Sequence, residues 1–219
     1  YKVEGLFTSK KIKFHLSQYL EDADFLELCK DYKFKINSVE KHSSIEKRPT
    51  ILITSSLQQK AHQVLGYSPS QTMSYAQALY ENGCITYMRT DTPIYSDSFK
   101  VVLEQFIKKK YGDKYYKEIP DSVKKAHEGI RVTDLTIEET SFETKQINKL
   151  YQLIYKHTLQ TSMSDCIMEH VHYKMNAPMD LYFIYKEPNT IFNGWKIDSI
   201  QSETNQLYLS LLVNIECYN

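Results

Sequence analysis

The sequence predicts an α+β fold in which a helical, winged-helix-like domain is inserted into a β-rich domain. Three observations lead there. Apolar residues alternate at both ends of the chain, as in Val3, Leu6, Ile12 and Phe14 near the start and in several runs after Met163. Such period-two alternation marks half-buried strands. The middle of the chain instead carries apolar residues at helical spacing, as in Ile147, Leu150, Tyr151, Ile154 and Leu159. From Ser55 to Met88 a helix, a short turn, a second helix and a β-prone run follow one another, the order of a winged helix-turn-helix. The helical domain is therefore assigned to residues 51–163 and the β-rich domain to residues 1–50 and 164–219, with both strand blocks in one sheet.

Residues 1–15 read as strand material. Ser17 is a candidate cap for a helix running to about Tyr32, with Leu20, Phe25, Leu28 and Cys29 on one stripe. Within it, Asp22-Ala23-Asp24-x-x-Glu27 reads as a solvated acidic face. Phe34, Ile36 and Val39 alternate in a strand over 33–41, and the polar stretch 42–50, ending at Pro49, reads as a linker in which Arg48 is a solvated charge. Ser55 or Ser56 caps the next helix, which ends near Leu65 with Gly66 suited to the left-handed position beyond it. After a turn at 67–70, Ser70 or Thr72 opens a helix with Met73, Ala76, Leu79 and Tyr80 on one face, closed by Gly83. Ser96 caps a third helix from Asp97 to about Tyr111, and Lys108, Lys109 and Lys110 suit the negative end of its dipole. A core helix follows over 144–163. Strands then occupy 166–175, 181–186, 190–200 and 207–215, with Asn193-Gly194 as a turn signal.

Composition narrows the function classes. The 219 residues hold 27 Lys+Arg and 27 Asp+Glu, a net charge of zero. No global field draws the chain to nucleic acid, so any such binding rests on local patches. Only Arg48, Arg89 and Arg131 are arginines, so lysine carries almost every positive charge. Cys29, Cys84, Cys166 and Cys217 are scattered without a C-x-x-C pair, which suggests neither a zinc site nor a disulfide framework. His170 and His172 share one face of a strand without a third ligand apparent. No signal peptide and no apolar run approaching the ~18 residues of a membrane span are present. The chain starts at Tyr1 without methionine and ends in a strand-like run, the look of a piece of something larger.

Residues 81–93, E-N-G-C-I-T-Y-M-R-T-D-T-P, carry the chemistry. They place a phenol (Tyr87), a guanidinium (Arg89), a carboxylate (Asp91) and a hydroxyl (Thr92) within six residues. A phenol with a pKa near ~10 attacks only where its phenolate is stabilised or its proton removed. A guanidinium does the first and also grips a phosphate through two parallel donors. Gln77 and Glu81, four apart on the second helix, share the face that leads towards Tyr87.

Three strings give a wider context: Ile53-Thr54-Ser55-Ser56-Leu57-Gln58-Gln59, the stretch from Thr72 to Asp91, and His127-Glu128-Gly129-Ile130-Arg131-Val132-Thr133. In this order and spacing they resemble the type IA DNA topoisomerases, and the wording around Tyr87 and the Ile130-Arg131 pair look bacterial-type. The likeness is strong from about Pro49 to Arg131, recognisable at Leu150-Tyr151-x-Leu153-Ile154 and Gly194-Trp195, and weak elsewhere. Thr92 stands where the family has serine, Gly129 where it has alanine and Val132 where it has proline; the last two are expected to loosen the backbone around His127.

The resemblance implies that the end strands form a β-rich arch, or gate hinge, and that the helical insert carries the cleavage tyrosine. It implies Tyr87, Arg89 and His127 as catalytic residues, with Gln77, Glu81, Thr86, Asp91, Thr92 and Arg131 towards DNA. Asp91 would orient Arg89, and Arg131 would hold the His127 loop or contact DNA. It implies Mg2+, held by an acidic Asp-x-Asp-x-Glu domain that these residues do not include, so the isolated chain is expected to be inactive. Expected partners are single-stranded DNA and further domains of the same polypeptide, in a monomer that is cytoplasmic or nucleoid-associated. Two readings from other classes stay open: a non-catalytic winged-helix DNA-binding module with Tyr87 as a packing residue, and an interaction scaffold built on the end strands.

Overall fold

The computed structural model of the chain describes residues 1–21, 24–120 and 127–198. The fold mixes helices and antiparallel sheet, and the chain divides into two compact units.

The first unit comprises residues 1–46 and 167–192 among those described. Its strands are β1 (Glu4–Phe7), β2 (Ile12–Leu16), β3 (Ile36–Glu46), β4 (Cys166–Asn176) and β5 (Tyr182–Phe192), ordered β1-β2-β5-β4-β3 in one sheet. Strands from both ends of the sequence thus share a sheet. β1 and β2 form a hairpin with Phe7 opposite Ile12, and β4 and β5 form an antiparallel ladder with Met175 opposite Phe183. Alternation puts Ile12, Phe14, Val171, Tyr173, Met175 and Phe183 in one apolar cluster, into which Phe25 and Ala177 also pack. Phe7 meets Phe14, Phe34 and Phe183 edge-on at 5.0–5.4 Å.

Three sequence expectations change here. The helix over 17–32 contracts to α1 (Asp24–Leu28). Ser17 does not cap it, because the Ser17 amide donates to Tyr182 O and the Leu20 amide to Tyr1 O, which holds this stretch against the strands. Part of the acidic stretch, Asp22-Ala23, lies outside the described residues, as does the strand expected at 207–215. The linker expected from His42 is strand as far as Glu46. Its polar side chains find cross-strand partners: Lys41 with Glu169 at 3.2 Å, Glu40 with Lys174 at 2.7 Å, and Ser44 with His170 at 3.0 Å. The His172 ring lies 5.0 Å from that of His42 at a tilt of 58°, and burial lowers its pKa. The two β4 histidines are therefore absorbed by sheet contacts.

The second unit comprises residues 47–166 and 193–198 among those described. It holds α2 (Thr54–Leu65), α3 (Pro69–Glu81), α4 (Asp97–Tyr111) and α5 (Lys145–Gln160) around a core that includes Leu57, Ala61, Ala76, Leu79, Leu103, Ile107, Leu150 and Ile154. Ser56 and Ser68 set the helix starts. Ser56 Oγ accepts from the Ile53 amide at 2.9 Å, and Ser68 with Gln71 forms a reciprocal capping box. Gly83, at φ 69°, turns the chain sharply out of α3 into the segment that carries Tyr87. The β-prone run after α3 is not a strand: Ile85 makes a single antiparallel bridge to Val132, and Leu52 another to Ile130. Asn193-Gly194 begins a 3-10 turn over Gly194–Lys196 rather than a hairpin.

Arg48 is a strut and not a solvated charge. Its guanidinium donates to Lys117 O and Glu118 O, its amide donates to Asp165, and burial lowers its pKa. His157 on α5 is likewise internal: it is 5% exposed, and its Nε2 meets Thr50 O at 2.7 Å. Burial, with the charge of Lys60, lowers its pKa from 6.5 to about 4. Between those pH values the unfolded chain binds the proton and the folded chain does not, so stability falls as pH drops through that window. At ~1.4 kcal/mol per unit the full loss is about 3 kcal/mol. Urea unfolding at pH 7 and pH 4.5 is expected to show a smaller decrease for His157→Gln, which keeps a donor for Thr50 O but does not titrate. Equal decreases would remove His157 from the acid response.

Candidate active site

The segment after Gly83 is neither helix nor strand, and burial alternates along it. Met88, Thr90 and Thr92 are buried, while Tyr87, Arg89 and Asp91 are exposed. Phenol, guanidinium and carboxylate are thus all open to solvent. The inward residues hold the segment. Met88 is fully buried, which stabilises by about 1.5–3 kcal/mol, more than the roughly 0.5–1.5 kcal/mol net of a typical hydrogen bond. Thr54, at the start of α2, adds bonds at the neighbouring positions. Its hydroxyl donates to Met88 O at 2.8 Å and accepts from the Thr90 amide at 2.9 Å, while its own amide donates to Thr90 O at 3.0 Å.

The second motif runs beside this segment. The Thr86 hydroxyl donates to Gly129 O at 2.8 Å and accepts from the Arg131 amide at 3.0 Å, and the Thr86 amide donates to Arg131 O at 2.9 Å. The Gly129 amide donates to Ile94 O, and the Thr133 amide to Cys84 O. After His127, Gly129 is bonded at both polar groups and Val132 is fully buried.

The three arginines separate by environment. Arg48 is internal, as described. Arg131 is committed as well: Nε and Nη2 each reach Glu128 Oε2 at 2.8 Å, Nη1 donates to Val132 O, and the guanidinium lies 3.7 Å over the Phe99 ring. Arg89 is exposed, and among the described residues its guanidinium has no hydrogen bond, ion pair or ring contact. His127 is likewise exposed and unpartnered among the described residues, in contrast to His157.

The remaining site residues fall into place around these. The Tyr87 ring packs edge-on against Tyr80 at 5.2 Å, and both are about two-fifths exposed, at 40% and 41%. Gln77, Tyr80 and Glu81 occupy one face of α3, where Gln77 Nε2 donates to Glu81 Oε1 at 2.7 Å. The Thr92 hydroxyl donates to Asp91 Oδ1 at 3.2 Å. Asp91 forms no ion pair with Arg89 among the described residues. No hydrogen bond links Tyr87, Arg89 and His127 to one another there, although bonds through Thr86 bring their backbone segments side by side. Elsewhere burial pushes the phenols of Tyr95 and Tyr151 up to about 12, and those of Tyr111 and Tyr155 higher still. Those four tyrosines are poor candidates for nucleophiles.

A sequence profile described as DNA topoisomerase matches residues 2–211. The chain belongs to the DNA topoisomerase family. It is 33% identical over 231 residues to DNA topoisomerase 1 of Rickettsia felis, covering 94% of this chain and 30% of that protein. It is 32% identical over 172 residues to DNA topoisomerase 1 of Aquifex aeolicus, covering 74% of this chain and 32% of that protein. The solved full-length topoisomerase I of Thermotoga maritima superposes with a TM-score of 0.76 at 26% identity, over 93% of this chain and 36% of that one. These matches mark the chain as a bacterial-type, type IA topoisomerase segment. It spans about a third of the length of these relatives.

Sequence reasoning overlooked Thr54, Tyr80, Phe99 and Glu128 as supports of this topoisomerase site. Tyr80 was readable: it is three residues from Gln77 and so lies on the face assigned to Gln77 and Glu81. Phe99 carries no such signal.

Gly129 shows how closely the second motif is packed. A Cβ there would collide with Cγ2 of Ile51 and approach Leu52 O at 3.1 Å. An alanine at this position thus requires Ile51 to move. Gly129→Ala is expected to lower stability by about 1–3 kcal/mol. A double-mutant cycle with Ile51→Ala, followed by chemical denaturation, should show a combined loss smaller than the sum. Strict additivity would mean that the two side chains do not compete for the same space.

Proposed function

We propose that this segment supplies the nucleophile and the phosphate-gripping face of a type IA topoisomerase that cleaves and reseals single-stranded DNA to relax supercoils. The observation that carries this is the free guanidinium of Arg89, outward-facing two residues from the exposed Tyr87, in a chain whose other two arginines are held internally.

In the proposed reaction Tyr87 Oη attacks a phosphodiester. The new O–P bond leaves the 5′-phosphate on Tyr87, the phenol's proton passes to solvent, the P–O3′ bond breaks, and the 3′ oxygen leaves as a hydroxyl with a proton taken from solvent. After strand passage the hydroxyl attacks the phosphotyrosine and reverses both bond changes. Arg89 lies against the non-bridging oxygens, where negative charge grows in the transition state, and His127 donates to the same phosphate. Gln77 and Glu81, beside Tyr80, approach the flanking DNA. α2, the turn and α3 serve as a helix-turn-helix within a winged-helix-like domain on the β-rich arch. Arg131 supports the His127 loop through Glu128 and Phe99.

Among the described residues no three His, Cys, Asp or Glu side chains are grouped so as to hold a metal ion. No step is therefore routed through one here, and Mg2+ belongs to further domains of the polypeptide. No described helix is long and apolar enough to cross a membrane. A monomer acting on DNA inside the cell fits this reading. Membership of the topoisomerase family disfavours the non-catalytic alternative.

The test uses the enzyme that contains this segment and a single-stranded oligonucleotide. Tyr87→Phe should abolish the covalent adduct while leaving binding intact, because only the hydroxyl is lost. Arg89→Lys should slow adduct formation by on the order of 100-fold, since an ammonium does not reproduce the planar fork. His127→Ala should have an intermediate effect. Adduct formation by Tyr87→Phe would sink the proposal.

A further inference from the structure

We propose that Thr86 is a positioning residue that locks the Tyr87 segment to the His127 loop, and that it acts without touching DNA. The proposal rests on the reading of Tyr87 and His127 as partners at one phosphate.

Thr86 is half-buried and lies between Ile85, which is inward and bridged to Val132, and Tyr87, which is outward. Its hydroxyl hydrogen goes to Gly129 O at 2.8 Å, and its oxygen accepts the Arg131 amide at 3.0 Å. Both roles of the hydroxyl are thereby used, one as donor and one as acceptor. The Thr86 amide donates to Arg131 O. One residue thus makes three bonds to a loop more than forty positions away in sequence, directly before the candidate nucleophile and two residues from His127.

The loop side of this contact is stiff. Glu128 bridges to Arg131, and Arg131 stacks on Phe99, which is itself 6% exposed. The Gly129 amide is tied to Ile94 O. The nucleophile side is stiff as well, because Met88 is buried and Thr54 binds Met88 O and Thr90. The two rigid pieces are joined at several points, with Thr133 bonded to Cys84 O and Gly83 O and Gly129 to Ile94 O, and Thr86 supplies the three bonds that lie next to Tyr87. A hydroxyl engaged in this way has no remaining proton for a DNA phosphate, and so Thr86 sets the distance between the reacting groups rather than binding substrate.

The experiment has two arms. In the 219-residue chain, hydrogen exchange followed by NMR reads the Arg131 amide. It should be protected in the wild type, exchange at least about fivefold faster in Thr86→Val, and regain protection in Thr86→Ser. In the enzyme that contains the segment, Thr86→Val should slow single-turnover adduct formation by roughly 10- to 100-fold with the Kd for single-stranded DNA within about twofold, and Thr86→Ser should recover most of the rate. An unprotected wild-type Arg131 amide overturns the lock, and this needs no variant to fold. A weakened Kd with Arg131 protection unchanged in Thr86→Val also overturns it and makes Thr86 a DNA contact. If Tyr87→Phe still forms adduct, the assigned nucleophile fails, while the exchange arm still judges the lock by itself.

Discussion

The outward face of Tyr87, Arg89 and Asp91 exists because the residues between and beyond them are inward. Met88, Thr90 and Thr92 are buried, and the residues between them are exposed. Everything else around the site serves that alternation. Gly83 delivers the chain from α3, Ile85 fixes the register against Val132, and Thr54 prevents the segment from sliding by binding Met88 O and Thr90. An exposed cation beside an exposed phenol gains little for the fold. Its retention in a chain that places its other arginines in structural bonds is the physical signature of a site.

The two charged elements near the site divide the work. Arg131 is stationary, gripped by Glu128 and covered by Phe99, so its charge is neutralised locally and contributes rigidity. Arg89 keeps its charge available. A paired guanidinium and an open one on neighbouring segments give the topoisomerase segment a fixed frame and, under the proposed function, a grip for phosphate. The same logic separates His157, neutral and buried against Thr50, from the exposed His127.

Several helix ends were legible from single residues, with the start of α3 at Ser68 rather than at Ser70 or Thr72 the local exception. Ser96, Gly66 and Gly83 stand at or next to the helix ends they suggested. Other readings that changed depend on partners far away in sequence. Ser17 resembles a cap, yet its amide is taken by Tyr182 O in a strand 165 residues on. Residues 42–46 look like a polar linker because their partners, His172 for His42 and His170 for Ser44, cannot be seen locally. Arg48 looks solvated until the 117–118 carbonyls close over it.

The chemical inventory and its local order are written in the chain: a tyrosine followed by arginine and aspartate at two-residue spacing, a helix face with Gln77 and Glu81 leading to it, and a second motif about forty residues on. Local spacing suffices for these because strand and helix periods are properties of a few consecutive residues. Only the tertiary structure decided which of those groups are available. Thr86, Thr92 and Arg131 have the same polar character in sequence as Arg89 and His127, but the first three find partners inside the chain and the last two do not. Whether a polar group is satisfied depends on what packs against it, and that is fixed by contacts between segments, not by the residues on either side.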